Sequence, residues 1–141
     1  MAPVDPAGER LVLPADLDRL AEARSWARQH AEAAGFSGRD LGEIELAVTE
    51  AVSNVIRHGY RDVDDGTVEL QVEVSDRELV LRIVDEGPAF DPTQGEPVEL
   101  SEPRPGGYGL YLIETVMDEV AWRRREDDTN ELRLVRTKPA S

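Results

Sequence analysis

Apolar side chains recur along this chain at two spacings, and the switches between them mark out its elements. Arg10 to Leu13 predicts a short strand. Asp16 then stands as an N-cap before Leu17, Leu20, Ala23, Ala27 and Ala31, a helical spacing that Gly35 ends. Ser37-Gly38-Arg39-Asp40 reads as a capping box for a second helix. Leu41, Ile44, Val48, Ala51, Val52 and Val55 mark the apolar face of that helix, and Gly59 stops it.

The period then changes from helical to two. Thr67 to Val74 sets Val68, Leu70, Val72 and Val74 on one face against Glu69, Gln71 and Glu73 on the other. Ser75-Asp76-Arg77 is a short turn, and Leu79, Leu81 and Ile83 repeat the alternation up to Asp85. This pattern predicts a β-hairpin with one wet face and one face covered by helices. Residues 86–106 lose both periods and hold five of the nine prolines, as a lid or binding loop does. Gly109 to Met117 returns to helical spacing, with Leu110, Ile113 and Met117 inward. Val120 to Arg124 and Glu131 to Arg136 close the chain as a hairpin around Asp127-Asp128-Thr129-Asn130. The expected fold is α+β: a two-layer sandwich whose mostly antiparallel mixed sheet carries its helices on one face. Residues 1–9 read as a loose segment, 10–137 as one domain with the lid at 86–106, and 138–141 as a tail.

Composition narrows what such a domain can do. The 141 residues are enough to bury a core. No apolar run reaches membrane-spanning length, and the first fifteen residues, with two acids and no lysine, do not resemble a signal peptide. The absence of cysteine removes thiol chemistry and fits a reducing cytoplasm. A net charge of −14 argues against direct nucleic-acid binding, which relies on basic side chains to neutralise phosphate. Lys138 is the only lysine and no Gly-Lys-Ser/Thr run occurs, so a P-loop is ruled out. An anionic nucleotide would need a metal ion, backbone N–H groups and a few arginines to bind here.

Three segments carry candidate chemistry. Glu50 and Asn54 are one helical turn apart, with His58 expected one turn further along the ridge. A carboxamide oxygen suits Mg²⁺, and a carboxylate beside it can take a proton from a hydroxyl. The same spacing also describes a polar helix edge facing solvent. Asp85-Glu86-Gly87 closes a strand, where a carboxylate can accept a hydrogen bond from an exocyclic amine; alone it also reads as a common turn. Gly106-Gly107-Tyr108-Gly109 runs into a helix start, where free N–H groups can meet phosphate or merely form a hinge. Arg104 and Arg57 are candidate positive charges, or simply solvent-facing arginines.

In this order, these segments resemble the conserved boxes of the GHKL ATP-binding superfamily, and in particular the bacterial anti-sigma-factor serine kinases of the RsbW and SpoIIAB type. The likeness rests on Glu50-Ala51-Val52-Ser53-Asn54 with His58-Gly59-Tyr60, on Asp85-Glu86-Gly87-Pro88-Ala89-Phe90-Asp91-Pro92, and on Gly107-Tyr108-Gly109-Leu110-Tyr111-Leu112-Ile113 with Met117-Asp118-Glu119-Val120. It spans about residues 10 to 136 and implies a histidine-kinase-like ATPase fold using ATP and Mg²⁺. Asn54 would hold the metal and Glu50 would be the base for a partner's serine hydroxyl. Asp85 would bind the adenine amine with Gly87 beside the ring. Arg104, Gly106, Gly107, Gly109 and Leu110 would line the phosphate side under the lid. The implied partners are a sigma factor, an anti-anti-sigma protein of STAS type and a second copy of the chain. Two departures stand out: Ala89 replaces a glycine common in the superfamily, and Asp128-Thr129-Asn130 replaces a Gly-Thr pair, so Thr129 receives no nucleotide contact. Two other readings remain open, a nucleotide-binding partner switch without kinase chemistry and a related kinase that activates a phosphatase. A histidine kinase fits less well, because no dimerisation hairpin carries a phosphoacceptor.

Overall fold

The computed structural model of the chain describes residues 9–59, 66–88 and 109–138. The elements run β1 (Glu9–Pro14), a 3-10 turn (Leu17–Arg19), α1 (Leu20–Ala33), α2 (Arg39–Asn54), a π turn (Val55–Gly59), β2 (Thr67–Val74), β3 (Glu78–Asp85), α3 (Gly109–Val116), β4 (Glu119–Arg124) and β5 (Asn130–Thr137). The five strands form one sheet in the order β1-β2-β3-β5-β4, and all four pairings are antiparallel. The expected two-layer α+β architecture is therefore present, with a sheet that is purely antiparallel among the described strands. The lid and Gly-rich expectations at residues 89–108 lie outside the described residues, as do residues 1–8 and 139–141. No helix among the described residues is long and apolar enough to cross a membrane.

Alternation along the strands decides what is buried. Val68, Leu70 and Val72 of β2, Leu79, Leu81 and Ile83 of β3, and Leu132 and Leu134 of β5 share one core with Ala23, Ala27 and Ala31 of α1 and Ile44, Val48 and Val52 of α2. The alanine stripe lets α1 approach closely, while α2 supplies the bulkier side chains. Val74, at the end of its row, is 44% exposed. The opposite face is wet but not bare. Val80, Val84 and Val135 are buried there beneath long charged side chains, including Arg82, which bonds Glu73 at 3.1 Å. Glu131, also on this face, meets Arg123 at 2.8 Å and Arg125 at 3.7 Å.

Asp16 caps as expected, accepting from the N–H of Asp18 at 2.9 Å at the 3-10 turn that opens with Leu17 and runs into α1. One local expectation fails. The capping box ahead of α2 does not form: Gly38 is the N-cap with φ 55°, and there is no side-chain cap hydrogen bond. Asp40 is instead drawn to Arg136 of β5, a charge-assisted contact that competes with a local cap.

Candidate active site

Three neighbouring strands end in a polar row on the helix-covered face. Asp85 of β3 lies opposite Asn130 of β5, and Asn130 lies opposite Arg124 of β4. Asp85 and Asn130 occupy positions that the alternation assigns to the core, and they are only 6% and 4% exposed. Groups buried to that degree need partners, and they have them. The Asp85 Oδ1 accepts from the N–H of Gly87 at 2.9 Å and from the Asn130 Nδ2 at 2.9 Å. The same Asn130 nitrogen donates to the carbonyl oxygens of Pro88 at 2.9 Å and Gly87 at 3.3 Å. Arg124 donates through Nη1 to the Gly87 carbonyl at 2.8 Å and to the Asn130 Oδ1 at 3.2 Å. Both bonds that anchor Asp85 use one oxygen, so Oδ2 takes no part in them.

Glu50 and Asn54 share one ridge of α2, a turn apart, and both are half-buried. None of the hydrogen bonds or ion pairs among the described residues engages either side chain. The α-helical part of the ridge ends at Asn54, where the chain continues as the π turn Val55–Gly59. Buried Ser53, between the pair, donates its hydroxyl to the Glu50 carbonyl at 3.1 Å.

Arg136 orients the helices over the sheet. Its guanidinium reaches Glu43 at 2.6 Å and Asp40, both in the first turns of α2, and the Val116 carbonyl that ends α3. The N-terminus of α2 and the C-terminus of α3 are thereby held at one end of β5. Asp40 and Glu43 also suit a helix N-terminus, and the cation suits the end of α3. From there α2 travels about 16 Å to Asn54 and α3 about 10 Å back to Gly109. Asn130 is about 20 Å from Arg136 along β5. Glu50 and Asn54 thus lie toward the end of α2 away from Arg136, Gly109 opens α3 at its end away from Arg136, and Asp85 and Asn130 sit at the opposite end of the β3–β5 pair from Arg136. Leu110, half-buried, follows Gly109 in α3, and Arg57 is exposed in the π turn. Arg104, Gly106 and Gly107 lie outside the described residues.

Asn130 and Arg124 were not singled out from the sequence as site residues, although a signal was present. Asn130 opens the row Leu132, Leu134, Arg136, so it is a polar residue at a core-facing parity directly across from a candidate carboxylate. Thr129 belongs elsewhere. Its hydroxyl donates to Asp127 at 2.6 Å, closing the β4–β5 turn, in which Asp128 adopts a positive φ of 63°. That hydroxyl is the main reason the Asp127 carboxyl is held below its ordinary value.

Comparison with known proteins adds to this geometry. The profile of the histidine kinase-like ATPase domain matches residues 13–136. The serine-protein kinase RsbW of Listeria monocytogenes (serotype 4a) is 35% identical over 118 residues, covering 78% of this chain and 75% of that protein. The anti-sigma F factor of Clostridium botulinum is 31% identical over 99 residues, covering 67% and 69% respectively. Among solved structures, the RsbU and RsbW domains of a Mycobacterium tuberculosis protein superpose with a TM-score of 0.66 at 18% identity. That match covers 94% of this chain and 32% of the other. The histidine kinase domain of a blue-light-activated kinase from Erythrobacter litoralis gives a TM-score of 0.51 at 18% identity, over 87% and 60%. At these identities the two structures speak to the fold alone.

Proposed function

The chain belongs to the histidine kinase-like ATPase domain family, and from that premise we propose that it is an ATP-dependent protein-serine kinase that also acts as an anti-sigma factor. In this reading it sequesters an RNA polymerase sigma factor and phosphorylates a serine on an anti-anti-sigma partner of STAS type. Relatives named serine-protein kinase and anti-sigma F factor support both halves. One observation carries the chemistry: Glu50 and Asn54 lie on one ridge of α2, and no hydrogen bond or ion pair among the described residues engages either side chain.

Asp85, with Oδ1 already anchored, offers Oδ2 to an exocyclic amine, and Gly87 leaves room for a ring beside the backbone. Asn54 presents a carboxamide where triphosphate would lie. It fits Mg²⁺, a hard ion that keeps several waters and takes few protein ligands when phosphates supply the rest. The ion would neutralise charge on the transferring phosphoryl group. Glu50 accepts the proton of the attacking serine hydroxyl as its oxygen bonds to the γ-phosphorus and the bond to the ADP oxygen breaks. The remaining task of the chain is to hold these groups in register, and the shared helix does so for Glu50 and Asn54.

The test uses purified protein, Mg-ATP labelled at the γ-phosphate and a STAS-domain partner captured from the native cell. Label should move to a serine of that partner. Glu50→Gln should keep nucleotide affinity within a few-fold and lose roughly 100-fold or more in transfer rate. Asn54→Ala should lose transfer and the Mg²⁺ dependence of nucleotide binding together. Transfer by Glu50→Gln at the wild-type rate would remove Glu50 as the base. No transfer by the wild type to any captured STAS partner would leave a binding-only switch.

A further inference from the structure

The face of the sheet away from the helices gathers arginines where its last three strands meet. We propose that the β3–β5–β4 half of this face is a docking groove for a short acidic segment of a protein partner, bound in extended form with carboxylates on alternate residues. The proposal does not depend on the kinase reading, because the groove lies on the opposite face of the sheet from the Asp85 row.

Alternation puts Arg82 of β3, Glu131 and Arg133 of β5, and Ala121 and Arg123 of β4 on this face. Register then decides their neighbours. Arg133 lies directly opposite Arg82 on one side and Ala121 on the other, and Arg123 lies opposite Glu131. Together with Trp122 these residues line a groove of about 300 Å³, in which the Ala121 methyl leaves a gap between longer side chains. Two guanidiniums set directly opposite each other repel, and their neighbours do not cancel the charge. Glu131, the buried carboxylate of the lining, is shared among Arg123 at 2.8 Å, Arg125 at 3.7 Å and Arg82 at 4.0 Å. Arg82 also bonds Glu73 at 3.1 Å. Among the described residues Arg133 has one partner, the exposed Glu119 at 3.8 Å, beyond hydrogen-bond reach. The lining therefore sets three guanidiniums against one carboxylate that is already committed.

A carboxylate answers this arrangement, since a guanidinium fork takes it through two parallel hydrogen bonds. Arg133 and Arg123 are diagonal neighbours, about 7–8 Å apart across the strand pair. Alternate side chains of an extended segment are separated by about 7 Å. A carboxylate seated over Ala121 meets Arg133, and the carboxylate two residues along meets Arg123. A nucleic acid fits poorly, because a chain at −14 repels every phosphate that extends beyond the groove. A segment with few acids keeps its charge within the groove and gains from the arginines without that cost.

Fluorescence anisotropy of a labelled short peptide alternating Thr and Glu, at low ionic strength, tests the groove. Wild type should bind the peptide, and Arg133→Gln and Arg82→Gln should each weaken binding about fivefold or more, with circular dichroism confirming both folds. Arg133→Gln alters a single partly exposed side chain and serves if the Arg82 variant does not fold. Arg39→Gln removes an exposed arginine from α2 and should change affinity by less than about twofold. A peptide of the same composition with its glutamates in one block should bind more weakly, since only alternation matches the diagonal. No binding by wild type, equal binding by Arg133→Gln, or an equal loss in Arg39→Gln overturns the proposal. Equal binding of the two peptides overturns the extended register. Inorganic phosphate that binds through Arg133 while the peptide does not would make the groove a site for a free anion. A change of oligomeric state in Arg133→Gln, read by sedimentation, would assign the groove to a second copy of the chain. Either result removes the acidic segment.

Discussion

Thr129 and Asn130 are adjacent and do different work, which gives a sharp test at the residue scale. Thr129 turns its hydroxyl to Asp127 and its N–H to the same carboxylate, while Asn130 turns inward to Asp85. Thr129→Val keeps the branched shape and removes the hydroxyl. It should lower the thermal midpoint modestly, through the turn, and leave ATP affinity within about twofold, since an exposed hydrogen bond contributes little beyond its own locality. Calorimetric titration with ATP beside a thermal melt checks both; a fivefold loss of affinity would place the hydroxyl at the nucleotide. Sequence reasoning kept Thr129 out of the site but passed over Asn130, because a turn-rich Asp-Asp-Thr-Asn run hides where the strand parity begins. The Asp85 and Gly87 pair was legible because a carboxylate ending a strand needs an N–H two residues on.

Elements were read best where one period ran long. The helical stripe of α2 and the alternation of β2 and β3 both emerge with nearly the expected bounds. What single-sequence reading missed at this scale was tertiary competition. Asp40 and Glu43 look like ordinary first-turn acids, and only the fold shows that Arg136, 96 and 93 residues further along the chain, takes both. The hydrogen bond from Arg136 is the main cause that holds the Glu43 carboxyl below its ordinary 4.5; burial opposes it, and Arg39 and the charges add to it. A carboxyl depressed in the folded state stabilises the fold above its unfolded value, and loses that contribution as pH falls through the lowered folded value. Wild type should therefore lose stability on acidification below about pH 5. Arg136→Met should be less stable near pH 7 by about 1–3 kcal/mol and lose less on acidification. Urea melts at pH 7, 5 and 3.5 compare the two, and the difference between the curves isolates this site from the other carboxylates. Parallel curves would mean that Arg136 does not control the α2–α3 end of the sheet.

At the scale of the whole molecule, hairpin spacing made β2–β3 and β4–β5 readable, but not the joining of the two hairpins. That join pairs β3 with β5 rather than β4, and it alone brings Asn130 to Asp85. Net charge poses a separate question, because a chain at −14 must bind an anion. Mg-ATP carries about two net negative charges near neutral pH. At roughly 20 Å from the centre of a domain this size, the repulsion is on the order of a few kcal/mol at 10 mM ionic strength and below one at 0.15 M. The local arginines act over shorter distances and lose less to screening. The global field should therefore dominate at low salt, and the association rate of Mg-ATP should rise on the order of tenfold as salt increases over that range, the reverse of electrostatic steering. Stopped-flow mixing with a fluorescent ATP analogue at fixed free Mg²⁺ reads this directly. A rate that falls with salt would show that the cationic side chains around the site, Arg124 among them, outweigh the charge of the entire chain.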